Sequence, residues 1–300
     1  MPRRVVVIGA RGQLGTDLVT ALASCGEEEF AVVPLTHADV EVRDHSGTRA
    51  TLSTLGPAVV VNTAAFHRVD DCEDQRETAF AVNAVAVGNL ASICRDIGSV
   101  LVHFSTDYVF GGDASRHEPY TENAPAQPMN VYGASKLAGE GLVREGCPAH
   151  FLIRTSGLFG LAGSSGKGGN FIELMLRLAA AGRPIRVVSD QRFAPTYAVD
   201  LADAVVALLR TNRYGLYHVT NAGECTWFEF AAAIFSLAGL HPDLSATTSA
   251  EFGAKAPRPT YSVLGRDALQ SAGIPALRDW RDALHAYLHA RAQRSAAPTP

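Results

Sequence analysis

The chain has 300 residues, of which 47% are hydrophobic and 19% charged, a balance typical of a globular protein with a sizeable core. Its net charge of −4 and the lack of a basic run argue against nucleic acid and anionic membranes as partners. No apolar run reaches membrane-spanning length and no signal peptide is visible, so we expect a cytoplasmic protein. The five cysteines are scattered and form no Cys-x-x-Cys pair, so we expect reduced thiols and no metal site.

The first predicted strand leads into a glycine-rich loop. Residues 4–8 are a β-branched run, as expected of a parallel strand buried on both faces. The loop glycines permit a tight turn and a close approach to a pyrophosphate, and the helix after them offers free N–H groups. This pattern predicts a dinucleotide site at Gly9, Gly12 and Gly15.

The second strand, Phe30–Leu35, bears on the choice of cofactor. An acidic residue at its end would hold the ribose 2′-hydroxyl of NAD, but the chain continues there with Thr36 and His37. Arg11 in the glycine loop is a candidate for a 2′-phosphate, although a solvated arginine is the alternative. We therefore expect NADPH as the cofactor, with NADH as the second choice.

Two further buried strands bring small and polar residues to the same sheet edge. Residues 57–61 lead into Ala64, Ala65 and Phe66, where small side chains let a cofactor lie across the strand ends. Residues 99–104 deliver Ser105, Thr106 and Asp107, which are poor core residues at the edge where α/β sheets bind ligands. Between them, residues 73–97 are predicted to be helical, with Asn83 as a satisfied polar group.

Residues 131–140 are predicted to begin a helix capped by Asn130. Tyr132 and Lys136 lie one turn apart on it and share a face. An ammonium at that distance favours the phenolate, so we expect Lys136 to lower the pKa of Tyr132. Tyr132 would then donate a proton to a carbonyl oxygen as hydride arrives on its carbon, while Thr106 or Ser105 holds that oxygen.

The remaining chain predicts an α/β fold, a Rossmann-type doubly wound parallel sheet. A fifth strand covers 150–154, and the Gly/Ser-rich residues 155–169, which include Lys167, suggest a substrate lid. Later helices are expected at 170–181, 200–209, 227–238 (capped by Thr226) and 276–291, with a last strand at 215–220.

These motifs resemble the extended short-chain dehydrogenase/reductases, and among them the dTDP-4-dehydrorhamnose reductase family. The resemblance runs almost from end to end. It is strongest in STDYVF (105–110) and NVYGASKLAGE (130–140) and continues through GARGQLG (9–15), VNTAA (61–65), VDDCE (69–73), RTS (154–156), GNF (169–171), DQ (190–191), APT (194–196), DLA (200–202), GLYH (215–218) and RP (258–259).

The resemblance implies NAD(P)H-dependent reduction of the 4-keto group of dTDP-4-dehydro-L-rhamnose to give dTDP-L-rhamnose. It implies Tyr132 and Lys136 as the catalytic pair, assisted by Thr106, with Asp107 at the substrate. As cofactor contacts it implies Gly12, Gln13, Leu14, Asp39, Val40, Ala64, Ala65 and Phe104. It further implies a Rossmann domain (1–155 and about 187–222) and a smaller, mainly C-terminal α/β substrate-binding domain (about 156–186 and 223–292). A disordered tail is expected at 293–300, and a homodimer is compatible with the resemblance.

Three departures from the family pattern concern the sugar. Gly157 stands where the family usually has a tryptophan that stacks on the sugar, and the segment 162–168 after it is longer than usual. After the Ala-Ala pair, Phe66 and His67 stand where the family commonly has His-Thr or Tyr-Thr. The reaction type is unaffected, but another nucleotide-linked 4-keto-6-deoxy sugar is an alternative substrate.

Two other functions of the same fold are less consistent with the sequence. A 4,6-dehydratase needs an acid directly after Thr-Asp, and Tyr108 stands there instead. A non-catalytic regulatory subunit needs no complete catalytic set, which this chain has. Arg258, between two prolines, is a candidate partner for the substrate diphosphate, with a solvated loop arginine as the equal alternative.

Overall fold

The computed structural model describes residues 1–162 and 169–296, with side chains up to residue 294. Its main feature is a six-stranded sheet in the order β10-β5-β4-β3-β1-β2, in which every pairing is parallel. These strands are β1 (Arg3–Ile8), β2 (Phe30–Leu35), β3 (Val59–Asn62), β4 (Val100–Thr106), β5 (His150–Thr155) and β10 (Gly215–His218). The predicted Rossmann-type sheet is confirmed.

Helices cover both faces of this sheet. One face packs against α1 (Gln13–Ala23) and α8 (Ala198–Leu209), and the other against α2 (His45–Leu55), α5 (Ala86–Asp96) and α6 (Val131–Gly146). The central strands β3 and β4 are buried along their whole length, and so is the second half of β1, as expected for a sheet covered on both faces. Because all the pairings are parallel, the strand carboxyl ends meet at one edge.

A second apolar cluster lies mainly in the C-terminal part of the chain. It is centred on aromatic side chains such as Phe159, Phe230 and Trp280. Three two-stranded pairings support it: β6 (Leu158–Phe159) with β9 (Thr196–Tyr197), β7 (Ile185–Val188) with β12 (Leu244–Thr247), and β8 (Arg192–Phe193) with β11 (Cys225–Thr226). Its helices are α7 (Phe171–Ala180), α9 (Trp227–Leu237) and α12 (Trp280–Ala296). The short α10 (Ser249–Phe252) follows β12, and α11 (Asp267–Ser271) packs against β10.

The predicted helix over 73–97 differs from the observed one. The chain forms α3 (Val69–Asp74), then α4 (Arg76–Phe80), a π-turn (Ala81–Val85) and α5 as one continuous helix. Arg76–Asp96 is apolar and long enough to cross a membrane by length and composition alone, and half of that stretch is buried inside the fold.

The domain boundaries stay a prediction, although several of their segments can be placed. α8 and β10 join the main sheet, whereas β7 and β8, at the start of the predicted segment 187–222, pair with strands of the second cluster. Residues 293–296, which were expected to belong to a disordered tail, are helical because α12 extends to Ala296; residues 297–300 lie outside the described part of the chain.

Candidate active site

A cavity of about 1260 Å³ lies at the carboxyl ends of the strands, between the sheet and the second apolar cluster. Most of the predicted site residues line it. From the glycine loop to the second cluster, these are Gly9, Arg11, Gly12, Gln13, Leu14, Gly15, Ala64, Ala65, Phe104, Ser105, Thr106, Asp107, Tyr132, Lys136, Gly157 and Arg258.

The glycine loop is shaped by close backbone approaches. Gly9 has φ +81°, and a Cβ there would lie 2.5 Å from Thr63 Oγ1. A Cβ on Gly15 would lie 2.2 Å from the Gly9 carbonyl oxygen, so α1 can start this close to β1 only without a side chain. The Oε1 atom of Gln13 is buried and has no hydrogen-bond partner in the described part of the chain. An open backbone cradle and an unsatisfied polar atom fit a dinucleotide pyrophosphate at the start of α1.

The end of β2 supplies contacts that the sequence did not single out. Thr36, His37 and Ala38 line the cavity beside Arg11, and among the described residues no carboxylate is part of the lining at this corner. The Asp39 carboxylate lies just behind it and accepts hydrogen bonds from Thr36 N and Oγ1, both at 2.7 Å, which hold its pKa below the usual value with help from the Arg11 charge. Arg11 is the cationic group that this corner offers to a 2′-phosphate.

Three predicted cofactor contacts lie outside the cavity lining. Asp39 holds the turn after β2, Val40 is buried in the apolar cluster on one face of the sheet, and the Phe66 ring packs near Cys72 and Val131. Their role as cofactor contacts stays a prediction, and each side chain also has a structural contact here. Nearby, Asn62 and Thr63 line the cavity where small residues were expected.

Tyr132 lies at the start of α6, on the wall of the cavity. The Asn130 side chain caps this helix by accepting from Gly133 N at 2.8 Å, as predicted. A Cβ on Gly133 would lie 2.1 Å from the Tyr108 carbonyl oxygen, so glycine lets α6 approach the end of β4. Thr106 lies close enough to the Tyr132 phenol to lower its pKa, so both hydroxyls stand in the same part of the cavity.

The expected effect of Lys136 on Tyr132 is wrong in this structure. Burial raises the pKa of Tyr132, and the hydrogen bond with Thr106 is what opposes that rise. Lys136 is 2% exposed, and its Nζ donates to the Phe104 carbonyl oxygen at 2.6 Å and lies 3.3 Å from His103 Nε2. The lysine thus reaches the strand rather than the phenol, and Tyr132 is protonated at neutral pH.

Burial also changes the titration of the lysine and its neighbour. It lowers the pKa of Lys136 to about 8, against the opposing effect of Glu140. It lowers the pKa of His103 well below the usual value, helped by the nearby lysine charge. The imidazole is therefore neutral, and the lysine changes charge within the working range of an enzyme.

Asp107 is a buried carboxylate already held by hydroxyls. It accepts hydrogen bonds from Ser156 Oγ at 2.8 Å, Ser262 Oγ at 2.6 Å and Thr106 Oγ1 at 3.2 Å. Burial raises its pKa to about 6, and these hydrogen bonds limit the rise. Asp107 thereby fixes Thr106 and joins the sheet edge to Ser262 of the C-terminal segment.

Ser105 and Thr106 point to different partners, as neighbours in a strand do. The Ser105 hydroxyl donates to Glu140 Oε1 at 2.6 Å, within a buried ion pair between Glu140 and Arg154. Thr106 alone meets the phenol. Of the two candidates for holding the substrate oxygen, Thr106 has the suitable position, and the Ser105 hydroxyl is engaged in the fold.

Two polar residues have well-defined partners. Arg258 is neither solvated nor unpaired: its guanidinium forms an ion pair with Asp70 at 2.9 Å and a hydrogen bond with Tyr108, although it still lines the cavity. Asn83 is 0% exposed and bonds both backbone groups of Phe66 and the Ser135 hydroxyl. The prediction that Asn83 is a satisfied helix polar group is confirmed.

An aromatic group stands beside Gly157. Gly157 has φ +50°, and a Cβ there would lie 2.3 Å from the Phe193 ring. Phe193 stacks on Trp227 with ring centroids 3.9 Å apart, and Phe171 lies 4.7 Å from Trp227. All three rings line the cavity, and the sequence did not single them out because they come from three separate elements. Residues 163–168 of the proposed lid, with Lys167, lie outside the described residues.

A dinucleotide laid along this edge would have its pyrophosphate on the glycine loop and its nicotinamide near Tyr132 and Lys136. Hydride transfer needs only one proton managed by the protein, and the Tyr132–Thr106 pair stands where that proton is required. This arrangement is that of the short-chain dehydrogenase/reductases, so the protein is an NAD(P)(H)-dependent oxidoreductase of that class.

Comparisons with known proteins narrow the class. Residues 3–293 match the family described as "RmlD substrate binding domain", and the chain belongs to that family. It is 39% identical to the dTDP-4-dehydrorhamnose reductase of Streptomyces griseus, over 99% of this chain and 97% of that one. It is 42% identical to a probable dTDP-4,6-dihydroxy-2-methyloxan-3-one 4-ketoreductase of Streptomyces antibioticus, over 94% and 93%.

A solved structure agrees with this assignment. The dTDP-4-dehydrorhamnose reductase of Bacillus anthracis, crystallised in complex with NADP, is 37% identical and superimposes with a TM-score of 0.91, over 97% of this chain and all of that one. The resemblance to the dTDP-4-dehydrorhamnose reductase family drawn from the sequence motifs is confirmed.

Proposed function

We propose that the protein reduces the 4-keto group of a dTDP-4-dehydro-6-deoxy sugar with NADPH, converting dTDP-4-dehydro-L-rhamnose to dTDP-L-rhamnose. The observation that supports this most directly is that Tyr132 and Thr106 stand together in a cavity that the glycine loop also lines. The names of the S. griseus and B. anthracis relatives point to the same reaction.

Each residue has a distinct role in the proposed reaction. The bound nicotinamide supplies a hydride to the carbonyl carbon. Tyr132, protonated because burial raises its pKa, donates its proton to the carbonyl oxygen. Thr106, whose hydroxyl donates to Asp107 in the absence of substrate, turns this proton towards that same oxygen and stabilises its developing charge. Lys136, held on the Phe104 carbonyl, orients the nicotinamide ribose with its remaining donors.

The second candidate substrate is another dTDP-linked 4-keto-6-deoxy sugar. The similarity to the S. antibioticus 4-ketoreductase favours it, as does Gly157, whose lack of a side chain changes the sugar end of the cavity. The reaction and the roles of the residues are the same for both substrates.

Oxidation of NADPH at 340 nm tests the proposed function. Full-length protein is given dTDP-4-dehydro-L-rhamnose, made in situ, and in parallel other dTDP-4-keto-6-deoxy sugars. We expect turnover with the first, and turnover only with another sugar would select the second candidate. No oxidation with any of them, despite measurable NADPH binding, would favour a non-catalytic binding subunit.

Arg11 is expected to favour NADPH over NADH. Replacing Arg11 with alanine removes a charge beside the site of the 2′-phosphate, so the KM for NADPH should rise about tenfold while that for NADH hardly changes. Arg43→Ala is the matched control, because Arg43 pairs with Glu41 and does not line the cavity. An equal rise for both cofactors would show that Arg11 does not read the phosphate.

Activity is expected to fall above about pH 8. Burial holds the pKa of Lys136 at about 8, so its ammonium, which donates to the ribose, is lost as pH rises through that value. The measurement is kcat/KM for the ketone at saturating NADPH from pH 6 to 10. Lys136→Arg keeps its charge, so its residual activity should lack this alkaline limb. A flat wild-type profile would contradict the assignment.

A further inference from the structure

The aromatic group at the sugar end of the cavity has no role in the chemistry described so far. Phe193 is 3% exposed and lies flat against Trp227, which is half-buried. Phe171, at the start of α7, tilts against the same indole with ring centroids 4.7 Å apart. The indole is thus held in one orientation from two sides, at the wall of an open cavity.

Gly157 explains how the Phe193 ring reaches this position. A Cβ at residue 157 would lie 2.3 Å and 2.6 Å from two ring carbons of Phe193, so a side chain at 157 and the phenyl ring at 193 exclude each other. The left-handed backbone of Gly157 also disfavours any other residue there. The Phe193 ring therefore fills the space beside residue 157 and lies against Trp227, which lines the cavity.

The position of Gly157 places the stack near the reacting carbon. Gly157 directly follows Ser156, whose hydroxyl donates to Asp107 at 2.8 Å, and Asp107 accepts from Thr106 at 3.2 Å. Gly157, which lies against the stack, is therefore linked to Thr106 through its peptide bond to Ser156 and through the two hydrogen bonds of Asp107. The ligand group beside it is then the sugar ring rather than the distant end of the nucleotide.

We propose that the Trp227 indole, backed by Phe193 in the space that Gly157 leaves free, forms the platform for the sugar ring of the dTDP-linked substrate. This inference rests on the proposed function. A 6-deoxy pyranose presents C–H groups and a methyl group, which pack well on a rigid aromatic face. A fixed platform also sets the tilt of the ring, and hence the position of the ketone relative to Tyr132 and Thr106.

Tryptophan fluorescence tests binding without turnover. The chain has two tryptophans, Trp227 and the fully buried Trp280. We expect dTDP-L-rhamnose to change the emission of the wild-type protein, dTDP alone to change it much less, and neither to change that of Trp227→Phe. An equal response to dTDP alone would mean that the indole contacts the nucleotide, which would overturn the proposal.

Kinetics provide a second, independent measurement. Trp227→Leu should raise the KM for the dTDP-4-keto sugar roughly tenfold, with the Ki of dTDP and the Kd of NADPH within about twofold. Trp227→Phe, which keeps a ring, should stay within about threefold of the wild type. Phe252→Leu is the control, since this exposed ring lies outside the cavity.

The outcomes separate this proposal from the proposed function. A Trp227→Leu variant with a lower Tm but unchanged KM would show that the stack is only packing, and so would overturn the platform. A parallel rise of the dTDP Ki would assign the rings to the base and would overturn it too. A wild-type protein inactive on every dTDP-4-keto sugar would count against the proposed function, whatever its fluorescence response to dTDP-L-rhamnose.

Discussion

Replacing Tyr132 with phenylalanine is expected to lower kcat by about 10²–10⁴-fold while leaving the Kd of NADPH nearly unchanged. The substitution removes the phenol beside Thr106 and leaves the ring in its place on α6. A neutral ketone reduced by hydride needs a proton on its oxygen, and water would be a poorer and less well-placed donor. Steady-state oxidation of NADPH at saturating substrate gives kcat, and cofactor fluorescence gives the Kd.

The matched control for this prediction is Tyr108→Phe. The Tyr108 ring lies 6.1 Å from that of Tyr132 and also lines the cavity, but its phenol is hydrogen-bonded to Arg258 instead. We expect the control to change kcat by less than about tenfold. If Tyr132→Phe retained nearly full activity, another group would have to supply the proton, and Tyr132 would be a binding residue only.

Local sequence patterns were sufficient for the elements of the main sheet. β1, β3 and β4 contain short apolar runs, which are typical of strands buried on both faces. Asn130 marks the start of α6. The pairings of the second cluster leave no such pattern. β7 and β12 are parallel partners far apart in the chain, and β8 and β11 contribute two residues each. Such pairings depend on tertiary contacts rather than on local periodicity.

The π-turn at Ala81–Val85 shows the same limit within a predicted helix. Asn83 in this turn bonds Phe66, and a Cβ on Gly139 of α6 would lie 2.2 Å from the Asn83 carbonyl oxygen. The irregular turn thus forms where two other segments approach closely. A helical pattern in 73–97 carries no information about either neighbour.

The candidate site divides along similar lines. Tyr132 and Lys136 were predicted from their spacing, because one helix positions both. The actual acceptor of Lys136 is the Phe104 carbonyl, which depends on how α6 crosses β4. The Phe193–Trp227 stack joins residues of two different elements, and so only the structure shows it.

The Glu140→Ala variant is expected to lose about 3–5 kcal/mol of folding free energy. Glu140 is 0% exposed and accepts two hydrogen bonds from Arg154, at 2.6 Å and 2.8 Å, and one from Ser105 at 2.6 Å. Without this carboxylate, the Arg154 guanidinium stays buried with no opposite charge close to it. Scanning calorimetry should show Tm lower by the order of 10 °C.

Arg144→Ala separates the buried pair from an exposed one on the same carboxylate. Arg144 lies 3.7 Å from Glu140 and is 48% exposed, so solvent screens its charge and its loss should cost less than about 1 kcal/mol. Glu140→Ala and Arg144→Ala both remove an ion pair of the Glu140 carboxylate. The expected difference in their cost therefore comes from the burial of Arg154 and the exposure of Arg144. If both variants lowered Tm equally, the cost of leaving Arg154 unpaired would be small, and the pair would not be what stabilises the contact between α6 and β5.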